Sequence, residues 1–268
     1  IGSLYRFSAN STGDLQNIDL WIKGASLFID QLNSLLKNMN YQPIIYSIET
    51  FNNENMNFLK EILDKNKSDK ASSHNYHILY SHILNKLGKE ENLDVLEIGL
   101  GTNNPTLIST MGECGNPGAS LYSWNEYLPN SNIYGADIDK DILFETDRIK
   151  TSYVDQLNFT TFNEMQKKFG NKNYDLIIDD GLHSIGANLN TLLFALGNIK
   201  MNGWIVIEDM MIIDNWFVID YILSNDKRYK SYLIKSKRKT NLTAAYQVIL
   251  IKHPNHPPRR IVPHLRLE

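Results

Sequence analysis

Leu176-Ile177-Ile178-Asp179-Asp180-Gly181-Leu182-His183 is a strand-like apolar run that breaks into two acids, a glycine and a histidine. A second run, Trp204-Ile205-Val206-Ile207, breaks in the same way into Glu208-Asp209. Neighbouring strands of a parallel sheet open their carboxyl ends onto one crevice, so the two acidic clusters and His183 are expected to converge there. Carboxylates crowded into one cleft repel one another unless a proton or a cation neutralises them. A hard divalent ion held by Asp180, Glu208 and Asp209 answers that requirement. The competing explanation is that Asp179 and Asp209 merely cap the helices or turns that follow.

Upstream, Leu93-Asp94-Val95-Leu96-Glu97-Ile98-Gly99-Leu100-Gly101 reads as a buried strand entering a glycine turn, where a ligand can approach backbone closely. Asn132-Ile133-Tyr134-Gly135-Ala136-Asp137 is another short strand ending in an acid, placed to accept the ribose hydroxyls of a nucleoside. Nicotinamide and flavin dinucleotides are disfavoured, because Thr102-Asn103-Asn104 follows where a Gly-x-Gly-x-x-Gly fingerprint needs its third glycine.

Taken together, these residues resemble the class I S-adenosylmethionine-dependent methyltransferases. Among them they resemble the metal-dependent sugar O-methyltransferases of macrolide biosynthesis and their cephalosporin-hydroxylase-like relatives. The resemblance spans about residues 66–252. It is carried by Ser68-Asp69-Lys70 with His74-Asn75-Tyr76, by Leu96-Glu97-Ile98-Gly99, and by Gly118-Ala119-Ser120-Leu121 with Trp124. Tyr134-Gly135-Ala136-Asp137-Ile138, Asp155-Gln156 and the two acidic clusters complete it. It implies a metal on Asp180, Glu208 and Asp209, with His183 as the base, and cofactor contacts from Glu97, Gly99, Asp137 and Asp155. It further implies that Lys70, His74 and Tyr76 close over the cofactor carboxylate or the acceptor. The stretch from Gly101 to Gly118 departs from the pattern as an insertion.

The expected fold is α/β: a doubly wound, mostly parallel, seven-stranded Rossmann-like sheet with an antiparallel C-terminal edge strand. Strands are expected near 93–98, 132–137, 150–154, 174–179, 203–207, 231–236 and 244–251. Residues 1–66 are read as a small helical N-terminal appendage, 67–252 as the S-adenosylmethionine-binding domain, and 253–268 as an irregular tail. The start at Ile1 is expected of a piece of a longer protein or of a trimmed chain.

Composition narrows the partners. With 27 basic against 30 acidic residues, the net charge of −3 offers no general attraction to nucleic acid or an anionic membrane. No run approaches the roughly 20 apolar residues that span a bilayer, and a cytoplasmic location is expected. A single cysteine, Cys114, excludes an internal disulfide. Apolar positions at helical spacing over 14–38 suggest core or a homo-oligomer contact. The lysine-rich stretch Lys235, Lys237, Arg238 and Lys239 suggests a nucleotide-activated sugar as acceptor, for a surface polysaccharide or a natural product.

The expected chemistry is transfer of the sulfonium methyl of S-adenosylmethionine to a sugar hydroxyl. Magnesium or manganese would take two vicinal hydroxyls as ligands and lower the pKa of one, and ferrous iron becomes a candidate if His183 is a ligand. An imidazole, with an ordinary pKa of about 6.5, suits the role of base. His183 as a ligand or as an outer hydrogen-bonding partner remains open. Asp179, if strand alternation persists, would face the amino group of the cofactor, and Asp155 its adenine. The alternatives are a hydroxylase-like enzyme on the same acids and a non-catalytic S-adenosylmethionine-binding subunit.

Overall fold

The structure is a computed structural model that describes residues 27–113, 115–210, 212–237 and 244–252, with 237 and 244–252 as backbone. The helical expectation over 14–26, Cys114, Arg238, Lys239 and the tail from residue 253 lie outside the described residues.

Among the described residues eight strands form one sheet: β1 (Ile45–Ser47), β2 (Asp94–Ile98), β3 (Asn132–Asp137), β4 (Ile149–Tyr153), β5 (Tyr174–Asp179), β6 (Ile199–Ile207), β7 (Tyr229–Lys237) and β8 (Ala244–Lys252). Their order is β1-β7-β8-β6-β5-β2-β3-β4. All pairings are parallel except those of β8, which runs antiparallel to both β6 and β7.

Two expectations are corrected. The sheet has eight strands rather than seven, because Ile45–Ser47 from the expected appendage pairs in parallel with β7. The antiparallel strand is not at the edge either. The crossover from β6 to β7 leaves a strand-wide gap, and the β7–β8 hairpin folds back into it.

Among the described residues seven helices accompany the sheet: α1 (27–38), α2 (Met56–Lys65), α3 (Tyr76–Leu87), α4 (Ala119–Tyr127), α5 (Phe159–Lys168), α6 (Ile185–Asn198) and α7 (Phe217–Ser224). The central strands are apolar on both faces, as strands covered by helices on both sides must be. Alternate residues divide between two cores. Val95, Ile133, Leu176, Ile178 and Val206 pack beneath α2, α3 and α4, while Leu96, Ala136, Ile177, Ile205 and Ile207 pack beneath α5, α6 and α7. Leu59, Ile62 and Leu63 of α2 belong to the first core, so residues 56–65 pack within the main body. No described helix is long and apolar enough to cross a membrane.

The strand order reverses between β2 and β5, and the crevice at such a reversal is where α/β sheets bind ligands. Backbone bonds continue beyond the strands there. Gly99 N donates to Ala136 O (2.8 Å), Asp180 N to Ile98 O (2.8 Å) and Glu208 N to Asp179 O (2.9 Å). These bonds set Asp137, Asp180 and Glu208 along one rim.

Candidate active site

A cleft of about 650 Å³ opens at that rim, bounded by segments around 67–70, 97–102, 106–111, 137–138, 154–157, 180–183 and by Asp209. Gly99 turns into it at φ 95°, and a β-carbon there would lie 2.1 Å from the Asp180 carbonyl oxygen. The glycine is therefore required by the close approach of two strand ends. The expected ligand approach is not what makes it necessary. Gly181 has a similar constraint, since its β-carbon would meet Gln156 Oε1 at 2.1 Å.

Lys70 is the electrostatic centre. Its side chain is only 2% exposed, and its Nζ lies 2.5 Å from Asp180 Oδ2, 2.8 Å from Glu208 Oε2 and 3.4 Å from Glu97 Oε1. Burial opposes the ammonium charge, but Asp180, Glu208 and Glu97 more than offset it and raise the Lys70 pKa above its ordinary value. Glu97 also accepts from Ser120 Oγ (2.7 Å) and Trp124 Nε1 (2.6 Å). Tyr80 donates to Glu208 Oε1. Burial, then the charge of Asp180, pushes the Glu208 pKa up against the pull of Lys70, and burial raises that of Glu97. One ammonium among several carboxylates leaves the site short of positive charge.

Asp180, His183 and Asp209 present one ligand atom each, all within 4.8 Å of one another. His183 Nε2 lies 3.9 Å from Asp180 Oδ1. Both His183 (φ 54°) and Asp209 (φ 46°) adopt the left-handed region, which aspartate and histidine tolerate better than most side chains. Tyr76 donates to Asp209 Oδ1 at 2.6 Å, and His74 Nδ1 lies 3.7 Å from Asp209 Oδ2. This donor set of two oxygens and a nitrogen suits a divalent cation. Glu208, expected as the third ligand, faces Lys70 and Tyr80 instead and does not line the cleft.

Of the expected cofactor residues, Glu97, Gly99, Asp137, Asp155 and Lys70 line the cleft, whereas Tyr76 and Asp179 do not. Asp137 accepts Leu100 N (2.7 Å) on one oxygen and Asp139 N (2.8 Å) on the other, fixing the glycine turn. Burial raises its pKa. Asp179 is fully buried, and its carboxylate is held by Gln156 Nε2 (2.7 Å), Asn188 Nδ2 (3.0 Å) and Gly181 N (3.3 Å). It caps no helix. That role falls to Ser184, which accepts from Ala187 N at 3.4 Å. Gln156, given no role by the sequence reading, also takes Leu182 N on its Oε1 (2.7 Å) and so clips the 180–183 loop. Tyr80 was likewise missed, since nothing in an isolated helix shows what its hydroxyl will meet.

A cleft at the β2/β5 reversal, an acid at the end of β3 and room for a nucleoside fit an S-adenosylmethionine-type ligand. Among solved structures, the MycE methyltransferase of the mycinamycin biosynthetic pathway, in complex with Mg and SAH, superposes with a TM-score of 0.55. That match has 21% identity over 76% of this chain and 57% of the other. The fold is that of a class I methyltransferase. A second structure of the same enzyme, with Mg, SAH and Mycinamycin VI, has a TM-score of 0.56 at 18% identity, over 76% of this chain and 57% of that one.

Curated relatives agree. The chain is 36% identical over 124 residues to the mycinamicin VI 2''-O-methyltransferase of Micromonospora griseorubida, covering 46% of this chain and 28% of that protein. It is 31% identical over 123 residues to the L-olivosyl-oleandolide 3-O-methyltransferase of Streptomyces antibioticus, covering 45% of this chain and 29% of that protein. The matched stretch thus spans less than a third of these relatives' own length. No protein-family model matches the chain.

Proposed function

We propose that the chain is an S-adenosylmethionine-dependent O-methyltransferase that uses a divalent cation to methylate a hydroxyl of a sugar. The observation that carries this reading is the convergence of Asp180, His183 and Asp209 on the mouth of a nucleoside-sized cleft. The relatives named for sugar O-methylation support it.

The sulfonium methyl is electrophilic when the cofactor is bound, and a cation would acidify the acceptor hydroxyl. The remaining work belongs to the chain. Asp137 is placed to accept the ribose hydroxyls and Asp155 to meet the adenine. Asp180 and Asp209 would hold the cation, and Glu208 would join them only on release from Lys70. His183 would accept the proton of the acceptor hydroxyl, freeing that oxygen to take the methyl group as its bond to sulfur breaks. Tyr76 and Gln156 fix Asp209 and the 180–183 loop for that geometry.

A sugar carried on a small molecule fits better than a nucleotide-activated sugar. Asp69, Asp180 and Asp209 line the cleft, so a diphosphate would meet carboxylates there. Neither relative is named for a nucleotide sugar. Mixing the protein with S-adenosylmethionine, magnesium and a panel of glycosides, and following S-adenosylhomocysteine release, tests the reading. Turnover that requires oxygen instead would support the hydroxylase alternative.

A further inference from the structure

The cleft holds many acids and few cations. Asp69, Glu97, Asp137, Asp155, Asp180 and Asp209 line it, opposed by Lys67 and Lys70. Lys70 is spent on three carboxylates. Lys67 is exposed and makes no ion pair with any described residue. An amino-acid-bearing nucleoside brings one carboxylate into this acidic cleft, and that carboxylate needs a cation partner.

Lys67 also occupies an unusual backbone position. It follows α2 at φ 63°, with Lys67 N donating to Asp64 O (3.1 Å) and Ser68 N to Leu63 O (2.9 Å). That is the Schellman arrangement, whose left-handed residue is ordinarily glycine because a side chain is strained there. A cation near the negative end of a helix is favourable, but Lys65 already supplies one in the last turn. The helix end therefore does not explain why the strained position carries a lysine. Asn116 Nδ2 donates to Asn66 O (3.0 Å), tying this corner to the loop that leads from the glycine turn into α4.

We infer that Lys67 binds the carboxylate of the cofactor's methionine portion, one of the two roles, with contact to the acceptor, that the resemblance implies for Lys70, His74 and Tyr76. The inference rests on the cofactor reading above. Ribose and adenine lie toward Asp137 and Asp155 at the ends of β3 and β4. The amino-acid end then extends across β2 toward segment 67–70, whose Lys70 is bonded to the ends of β5 and β6.

Calorimetric titration of the full chain with two ligands tests it. S-adenosylhomocysteine carries the amino-acid end, and 5′-methylthioadenosine lacks it. Lys67→Gly removes the charge while relieving the backbone strain, so its melting temperature should equal or exceed that of the parent. Its affinity for S-adenosylhomocysteine should fall about tenfold, as expected for loss of a partly solvated ion pair with its hydrogen bonds. Its affinity for 5′-methylthioadenosine should stay within about twofold, and Lys67→Arg should retain both ligands. Equal loss of both ligands, or no loss of either, would overturn the assignment of Lys67 while leaving the cofactor reading in place. Absence of any S-adenosylhomocysteine binding by the unaltered protein would overturn both.

Discussion

Lys70 Nζ stands 2.5 Å from Asp180 Oδ2, so the acid at the centre of the candidate metal site already shares one oxygen with a cation of the protein itself. The same ammonium holds Glu208 at 2.8 Å. It thereby ties the ends of β5 and β6 together beneath the cleft.

Removing that ammonium leaves buried carboxylates uncompensated. Lys70→Met should cost about 3–5 kcal/mol, the usual penalty for breaking a buried pair from one side. The pH dependence follows from the acids. Glu208 and Glu97 have pKa values raised in the folded state, so they favour folding below the usual carboxylate range and lose that contribution as pH rises through their folded values. Without Lys70 both values should rise further, so the stability deficit should narrow as pH falls from 7 toward 5. Urea denaturation at the two pH values measures it.

Asp179 was expected to face the cofactor, and the structure gives it a different role. Asp179→Asn should lower stability by about 1–3 kcal/mol, because one of the two accepting oxygens becomes an amide donor facing either Asn188 or the pair Gln156 and Gly181, which themselves donate there. Affinity of the folded protein for S-adenosylhomocysteine should change less than about threefold. Thermal melts paired with titration calorimetry separate the two effects.

Asp137→Ala should weaken S-adenosylhomocysteine binding by up to about 1.5–3 kcal/mol for each lost charge-assisted hydrogen bond. It should also loosen the glycine turn, since Leu100 N and Asp139 N both donate to this carboxylate. Faster amide exchange at those two positions, measured by NMR, is the accompanying signature.

The sequence was most readable where strands are buried on both faces. β2, β3, β5 and β6 announce themselves as short apolar runs ending in glycine or acid, and the rim built from their ends was expected from that pattern. The alternation that sends Asp179 and Asp180 to opposite sides also held. The error was to suppose that both sides are cleft, when α6 covers one of them with Asn188 and Thr191. What local pattern could not show were the long-range pairings. Nothing near Lys70 in sequence indicates that it will meet Glu97, Asp180 and Glu208. A hairpin, likewise, can add to a sheet from either side, so the position of β8 was open.

His183 distinguishes two versions of the site. If it is the base, His183→Ala should retain the cation, lose about 10²–10⁴-fold in rate, and recover in part at higher pH. If it is the third ligand beside Asp180 and Asp209, the cation should be lost with it. Metal content by plasma mass spectrometry, compared with that of Glu208→Gln, decides which side chain completes the set.

Cation-assisted methylation of a sugar hydroxyl in this cleft leaves a product that can be weighed. The most direct measurement is mass spectrometry of glycoside acceptors after incubation with the protein, S-adenosylmethionine and magnesium. A product heavier by one methylene is expected, abolished by chelator and by Asp180→Asn alike. A product that forms undiminished in chelator and in Asp180→Asn, or none from any glycoside while S-adenosylhomocysteine binds tightly, would contradict it.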